Sequence, residues 1–146
     1  FDVPKLDDHV LPIGKARIVR SGKDVTIISY SIGVGLALEA AETLSGEGID
    51  AEVIDIRTIR PLDLDTLVQS VVKTHRAIIV EENWPYCGVG ASISDRIMQV
   101  AFDEMDAPIR RVTTKDAPVP YNKRLEQSML PDVSKVVASV RDVLYR

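Results

Sequence analysis

The sequence is short of the residues that most often announce chemistry. In 146 residues it has one cysteine, Cys87, and two histidines, His9 and His75. A single thiol rules out a disulfide framework inside the chain. With no CxxC partner and no adjacent base, Cys87 reads as a packed or exposed thiol. The histidines lie far apart and carry no metal-ligand spacing, so neither is expected to bind a metal. Aromatic residues make up only 5% of the chain, and Trp84 is its one tryptophan. Positive charge is in deficit: 18 Lys and Arg against 22 Asp and Glu give a net charge of −4, which argues against nucleic acid as a partner. No stretch approaches the roughly 18 apolar residues of a membrane span. Internal repeats and low-complexity segments are also missing.

What is present is ordinary for a globular domain. Hydrophobic residues are 45% and charged residues 27%, at a length that buries one sizeable core. The chain opens on Phe1 rather than Met, and we expect a carboxyl-terminal domain of something longer. Residues 1–13, with Pro4, Pro12 and no periodicity, read as a linker, and 14–146 as the domain.

The stretch from Ala51 to Asp63 organises the rest. Val53, Ile54 and Ile56 suit a buried strand, which Pro61 is expected to stop. Asp55 and Arg57 are two apart, on one face, where they could pair. Asp63 is placed to cap a helix from Leu64, whose Leu64, Leu67, Val68, Val71 and Val72 fit the helical period. Further strands are expected over 14–20 (a short edge strand), 24–30, 76–82 and 109–113. A helix after Gly33 carries Val34, Ala37, Leu38, Ala41 and Leu44 on one face. Another holds Ile93, Ile97, Met98, Ala101, Phe102 and Met105. A last one turns Val133, Val136, Val137, Val140, Val143 and Leu144 inward. Residues 114–129 read as a long polar loop. Such alternation predicts a largely parallel sheet with helices on both faces.

Several motifs admit two readings. Gly33-Val34-Gly35 and Gly88-Val89-Gly90 each open a helix after a strand, as phosphate-binding turns do, but a third glycine is missing and a plain tight turn fits as well. Glu81 and Glu82 could be an acid/base pair. Neighbours on a strand face opposite ways, however, so one of them more simply meets Arg57, Arg60 or a partner's arginine. Trp84-Pro85-Tyr86 is either an interface anchor or a cover over the sheet edge. Arg57 and Arg60 sit just past a strand's carboxyl end, where open sheets make contacts. Asp106 and the carboxylate after Arg146 are candidates to receive a cationic partner.

A set of collinear motifs carries a resemblance over nearly the whole chain. They are Leu11-Pro12-Ile13-Gly14-Lys15-Ala16, Asp24-Val25-Thr26-Ile27, Glu52 to Asp63, Trp84-Pro85 with Gly88-Val89-Gly90-Ala91, and Asp106-Ala107-Pro108 before Arg111-Val112-Thr113. The set resembles the carboxyl-terminal domain of pyruvate dehydrogenase beta subunits, a domain shared with transketolases. Arg60-Pro61-Leu62-Asp63 favours the pyruvate enzymes over the branched-chain ones; the equivalent domain of a branched-chain 2-oxo acid or acetoin dehydrogenase or a transketolase-type enzyme is the alternative. Two positions depart from the pattern: Asn83 and Thr114 stand where the family often has glycine.

The resemblance implies an α/β fold: a three-layer α/β/α sandwich with a mostly parallel five-stranded sheet and one antiparallel edge strand. It implies a heterotetramer with an alpha subunit and a second beta subunit, in a bacterial cytoplasm or a mitochondrial matrix. The reaction would be oxidative decarboxylation of pyruvate with acylation of lipoyl groups. Thiamine diphosphate and magnesium would be bound elsewhere in the full enzyme and not by this domain, which would hold no catalytic residue. Its implied tasks are subunit assembly, with Trp84, Tyr86, Arg57 and Arg60 as contact residues, and docking of the acetyltransferase's basic subunit-binding domain by Asp106 and the terminus at Arg146.

Overall fold

Strands buried on both faces favour apolar residues at most positions, and short β-branched runs supply them in β2, β3 and β4. In a computed structural model, which describes residues 10–146, five strands form one sheet. They are β1 (Arg17–Arg20), β2 (Val25–Ser29), β3 (Ala51–Asp55), β4 (Ala77–Val80) and β5 (Arg110–Val112). The order is β1-β3-β2-β4-β5. β1 runs antiparallel to β3, and the remaining pairs are parallel. The helices are α1 (Gly33–Ser45), α2 (Leu64–Thr74), α3 (Val89–Ala101), α4 (Lys123–Met129) and α5 (Val133–Leu144). Of the expected linker 1–13, residues 1–9, His9 among them, lie outside the described residues.

Strand alternation splits the core in two. Val25, Ile27, Val53, Ile78 and Val80 pack with Ala37, Ala41 and Leu44 of α1 and Val136, Val140 and Val143 of α5. Ile28, Ile54 and Ile79 turn the other way, onto Leu67 and Val71 of α2 and Ile93 and Ile97 of α3. This is the expected three-layer arrangement with one antiparallel edge strand.

Several local expectations are corrected. Strand β3 ends at Asp55, not at Pro61, because Arg57 adopts a left-handed φ of 54°. Asp55 does not pair with the Arg57 side chain; its Oδ1 accepts the Arg57 backbone N–H at 3.0 Å. Leu38 and Val72 are 37% exposed rather than inward. Phe102 is exposed, since α3 stops at Ala101 and Phe102 enters a 3-10 turn (Phe102–Glu104). Asp63 stands at the head of α2, but its carboxylate accepts the Ala16 amide and the Thr66 hydroxyl instead of a helix amide. The polar loop contains α4, whose cap is the Asn122 side chain accepting from the amides of Arg124 and Leu125.

Asp132 caps α5 and yields a prediction. Its Oδ1 accepts the Ser134 hydroxyl at 2.5 Å and the Lys135 amide at 2.9 Å, and Lys135 Nζ lies 2.9 Å from Oδ2. The Ser134 hydroxyl, partly offset by burial and reinforced by Lys135, holds the carboxyl down at about 2. A depressed folded pKa stabilises above the ordinary carboxylate value of 3.8; that stability fades as pH falls toward 2. The side chain is 47% exposed, so screening limits the effect. Asp132→Ala is expected to cost about 1 kcal/mol at pH 7, the worth of a typical cap. In urea melts, the gap between variant and parent should close below about pH 3 as the native cap itself is protonated; a gap constant down to pH 2 would remove the charge from the account.

Candidate interaction site

The carboxyl end of the parallel strands is held by a buried carboxylate. Ile79 and Glu81 are two apart and face the same way, and Arg111 lies opposite Ile79 in the β4–β5 register. Arg111 therefore reaches Glu81: its Nη2 is 2.7 Å and its Nε 3.3 Å from Oε1. Glu81 Oε2 accepts the Gly90 amide at 2.9 Å and the Tyr30 hydroxyl at 3.2 Å. The arginine facing Glu81 is thus Arg111, not Arg57 or Arg60. Burial first, then the Glu81 charge and hydrogen bond, push the Tyr30 hydroxyl up to about 12. Glu82 points away and is exposed, so the two glutamates form no acid/base pair.

This node also fixes the aromatic loop. Arg111 Nη1 donates to the Pro85 carbonyl at 2.8 Å. Thr114, buried, donates its amide to the Asn83 carbonyl and its hydroxyl to the Glu82 carbonyl, each at 3.1 Å. A Cβ at Gly88 would fall 2.7 Å from the Trp84 carbonyl and 2.8 Å from Glu81 Oε1, so glycine is needed there for the close approach. The left-handed residue of the loop is Cys87, φ 57°, rather than Asn83. Trp84 remains 48% and Tyr86 80% exposed on this braced backbone. Trp84 lines a hollow with Asn83, Thr114, Val119 and Leu130. Arg57 and Arg60, also exposed, leave β3 at the same edge, with β2 between them and the aromatic loop.

Amides of both glycine turns are engaged within the chain. The Gly33, Val34 and Gly35 amides donate to the Tyr30, Ser31 and Ile32 carbonyls. The Gly90 amide at the head of α3 is taken by Glu81, the chain's own anion. A hollow of about 240 Å³ lies between these turns, lined by Tyr30, Ser31, Ile32, Gly33, Glu82 and Asn83.

Asp106 and the carboxyl terminus lie at the opposite end of the sheet, before β4 begins. The Asp106 amide donates to the His75 carbonyl at 2.9 Å, and the Tyr145 hydroxyl donates to the Asp106 carbonyl at 3.3 Å. The loop and the last turn of the chain are therefore adjacent. Arg76 was missed in the sequence. Its Nη2 lies 3.1 Å from Asp106 Oδ2, and its Nε donates to the Val143 carbonyl at 3.0 Å. The hint was an arginine set directly before an all-apolar strand. Arg76 and Arg146 line a hollow of about 280 Å³ together with Lys23, Asp24 and His75. Among the described residues, no group of three or more His, Cys, Asp or Glu could hold a metal ion.

The family model described as "Transketolase, C-terminal domain" matches residues 14–136. The chain is similar to "Pyruvate dehydrogenase E1 component subunit beta" of Rhizobium meliloti (strain 1021), with 54% identity over all of this chain and 32% of that protein. It is similar to "Pyruvate dehydrogenase E1 component subunit beta, mitochondrial" of Caenorhabditis elegans, with 48% identity over 94% of this chain and 40% of that one. Among solved structures, "Split gene transketolase, inactive beta4 tetramer" superposes with a TM-score of 0.81 at 30% identity, covering 94% of this chain and 45% of that chain. The chain thus spans less than half of the length of each.

Proposed function

The chain belongs to the transketolase C-terminal domain family, and from that premise we propose that it is the assembly and docking domain of a pyruvate dehydrogenase beta subunit. The 54% identity that runs the full length of the chain carries this reading. A transketolase-type enzyme, the alternative, has 30% identity to support it. The full enzyme would decarboxylate pyruvate oxidatively and acylate lipoyl groups, with thiamine diphosphate and magnesium held outside this domain. The Gly33, Val34, Gly35 and Gly90 amides are engaged within the chain, and no group of three or more His, Cys, Asp or Glu among the described residues could hold a metal ion, so no residue here is assigned to either group. We therefore assign no chemical step to this chain. The bacterial and mitochondrial relatives suit a bacterial cytoplasm or a mitochondrial matrix.

Two surfaces divide the work. The braced Trp84–Tyr86 loop, with Arg57 and Arg60 on the same edge, is assigned to the alpha subunit and the second beta subunit. Ordering an exposed aromatic before contact lowers the entropy lost on association. Asp106 and the terminus at Arg146 are assigned to the acetyltransferase's basic subunit-binding domain. Because they sit at opposite ends of the strands, both surfaces can be occupied at once. In the complete enzyme, Asp106→Asn is expected to weaken binding of the subunit-binding domain at least tenfold, about 1.4 kcal/mol, by calorimetric titration. Parent-like affinity in a variant with an unchanged urea midpoint would reject the docking role.

A further inference from the structure

Resting on the docking reading above, we propose that Arg76 sets the affinity of that docking point by competing, within the chain, for the Asp106 carboxylate. Asp106 is half-exposed, with side-chain exposure of 53%, and Oδ2 is already on the Arg76 guanidinium at 3.1 Å. An incoming arginine, which binds best with two parallel bonds to one carboxylate, would have to share Oδ2 with Arg76. It would also meet the Arg76 charge across the shared acid.

Arg76 stays in place when the partner arrives. Its Nε is bonded to the Val143 carbonyl at 3.0 Å, and its side chain is only 26% exposed. Displacing it would leave that carbonyl without its donor. Lys23 and Arg146 add positive charge to the adjoining hollow, against Asp24, while Glu104 is drawn toward His75.

The opposite role, that Arg76 positions Asp106 for the partner, is weaker on this geometry. The Asp106 backbone is fixed independently, through its amide on His75 and its carbonyl on the Tyr145 hydroxyl. Arg76 orders only the short carboxylate arm, worth about a twofold change in affinity. Two cations about 5 Å apart near a surface repel by enough to change affinity about fivefold or more. Competition therefore wins.

Calorimetric titration of the complete enzyme with the isolated subunit-binding domain tests this. Arg76→Gln removes the charge and should bind about fivefold tighter. Arg76→Lys keeps the charge and should stay within about twofold of the parent. The gain from Arg76→Gln should be mostly lost in an Asp106→Asn background. If Asp106→Asn weakens binding while Arg76→Gln leaves it unchanged or weakens it, competition is overturned and the docking reading survives. Equal tightening by Lys and Gln overturns the charge argument. If Asp106→Asn has no effect, the docking reading falls and takes this inference with it.

Discussion

Glu81→Ala is expected to destabilise the protein by about 3–5 kcal/mol in urea denaturation at pH 7, the usual cost of stranding one partner of a buried ion pair. Glu81 is fully buried and Arg111 is 19% exposed. Removing the carboxylate leaves a guanidinium, the Gly90 amide and the Tyr30 hydroxyl facing an apolar methyl. The guanidinium and the amide are donors only, so neither can satisfy the other, and the Tyr30 hydroxyl can accept from just one of them. Removing Arg111 as well should recover part of the loss, so the double variant should fall short of the sum of the singles. Additive costs, or a loss below about 1 kcal/mol for Glu81→Ala, would show that the node braces nothing.

Tyr30 gives the same node a second readout. Its hydroxyl is pushed from an ordinary 10.0 to about 12, by burial first and Glu81 next. A raised folded pKa means the folded chain holds the proton longer than the unfolded one. The stabilisation is therefore complete below about pH 10 and is lost as pH climbs toward 12. In a Glu81→Gln variant, burial remains but the charge does not, so ultraviolet titration should place Tyr30 between these values. The aromatic loop should loosen in parallel, because Arg111 spans Glu81 and the Pro85 carbonyl.

Local pattern made much of this legible, and distance in sequence hid the rest. Helices α2 and α5 announce themselves because their apolar residues repeat at the helical period, and β2 and β4 because they are short β-branched runs. The position of Asp106 beside the terminus followed from the resemblance. The left-handed turn at Arg57 was not legible, because a non-glycine residue there carries no local mark. Helix α4 was missed because a short exposed helix with only Met129 buried has no apolar stripe. The Glu81–Arg111 pair joins residues 30 positions apart and depends on which strand neighbours β4. Arg76 and Val143 are 67 apart, and no short-range signal connects them.

Gly22→Ala should have the second large effect, because the collision it creates is between backbones. A Cβ on Gly22 would sit 2.3 Å from both the Ala51 carbonyl carbon and the Glu52 nitrogen, at the start of β3. No side-chain rotation relieves that, so the 21–23 segment must move off β3. Its departure would also withdraw the Gly22 amide from Glu52 Oε2, at 3.4 Å. Glu52 is fully buried and already has Oε1 without a partner, so Lys73 would be its one remaining donor. Overpacking together with loss of a charge-assisted bond puts the cost at about 3 kcal/mol. Gly35→Ala is the control, since a Cβ there meets nothing within 4 Å and alanine suits a helix better by about 0.5–1 kcal/mol. The same chemical change should therefore lower the urea midpoint at position 22 and raise it at position 35. Equal effects at the two positions would mean that the close passage over β3 does not exist.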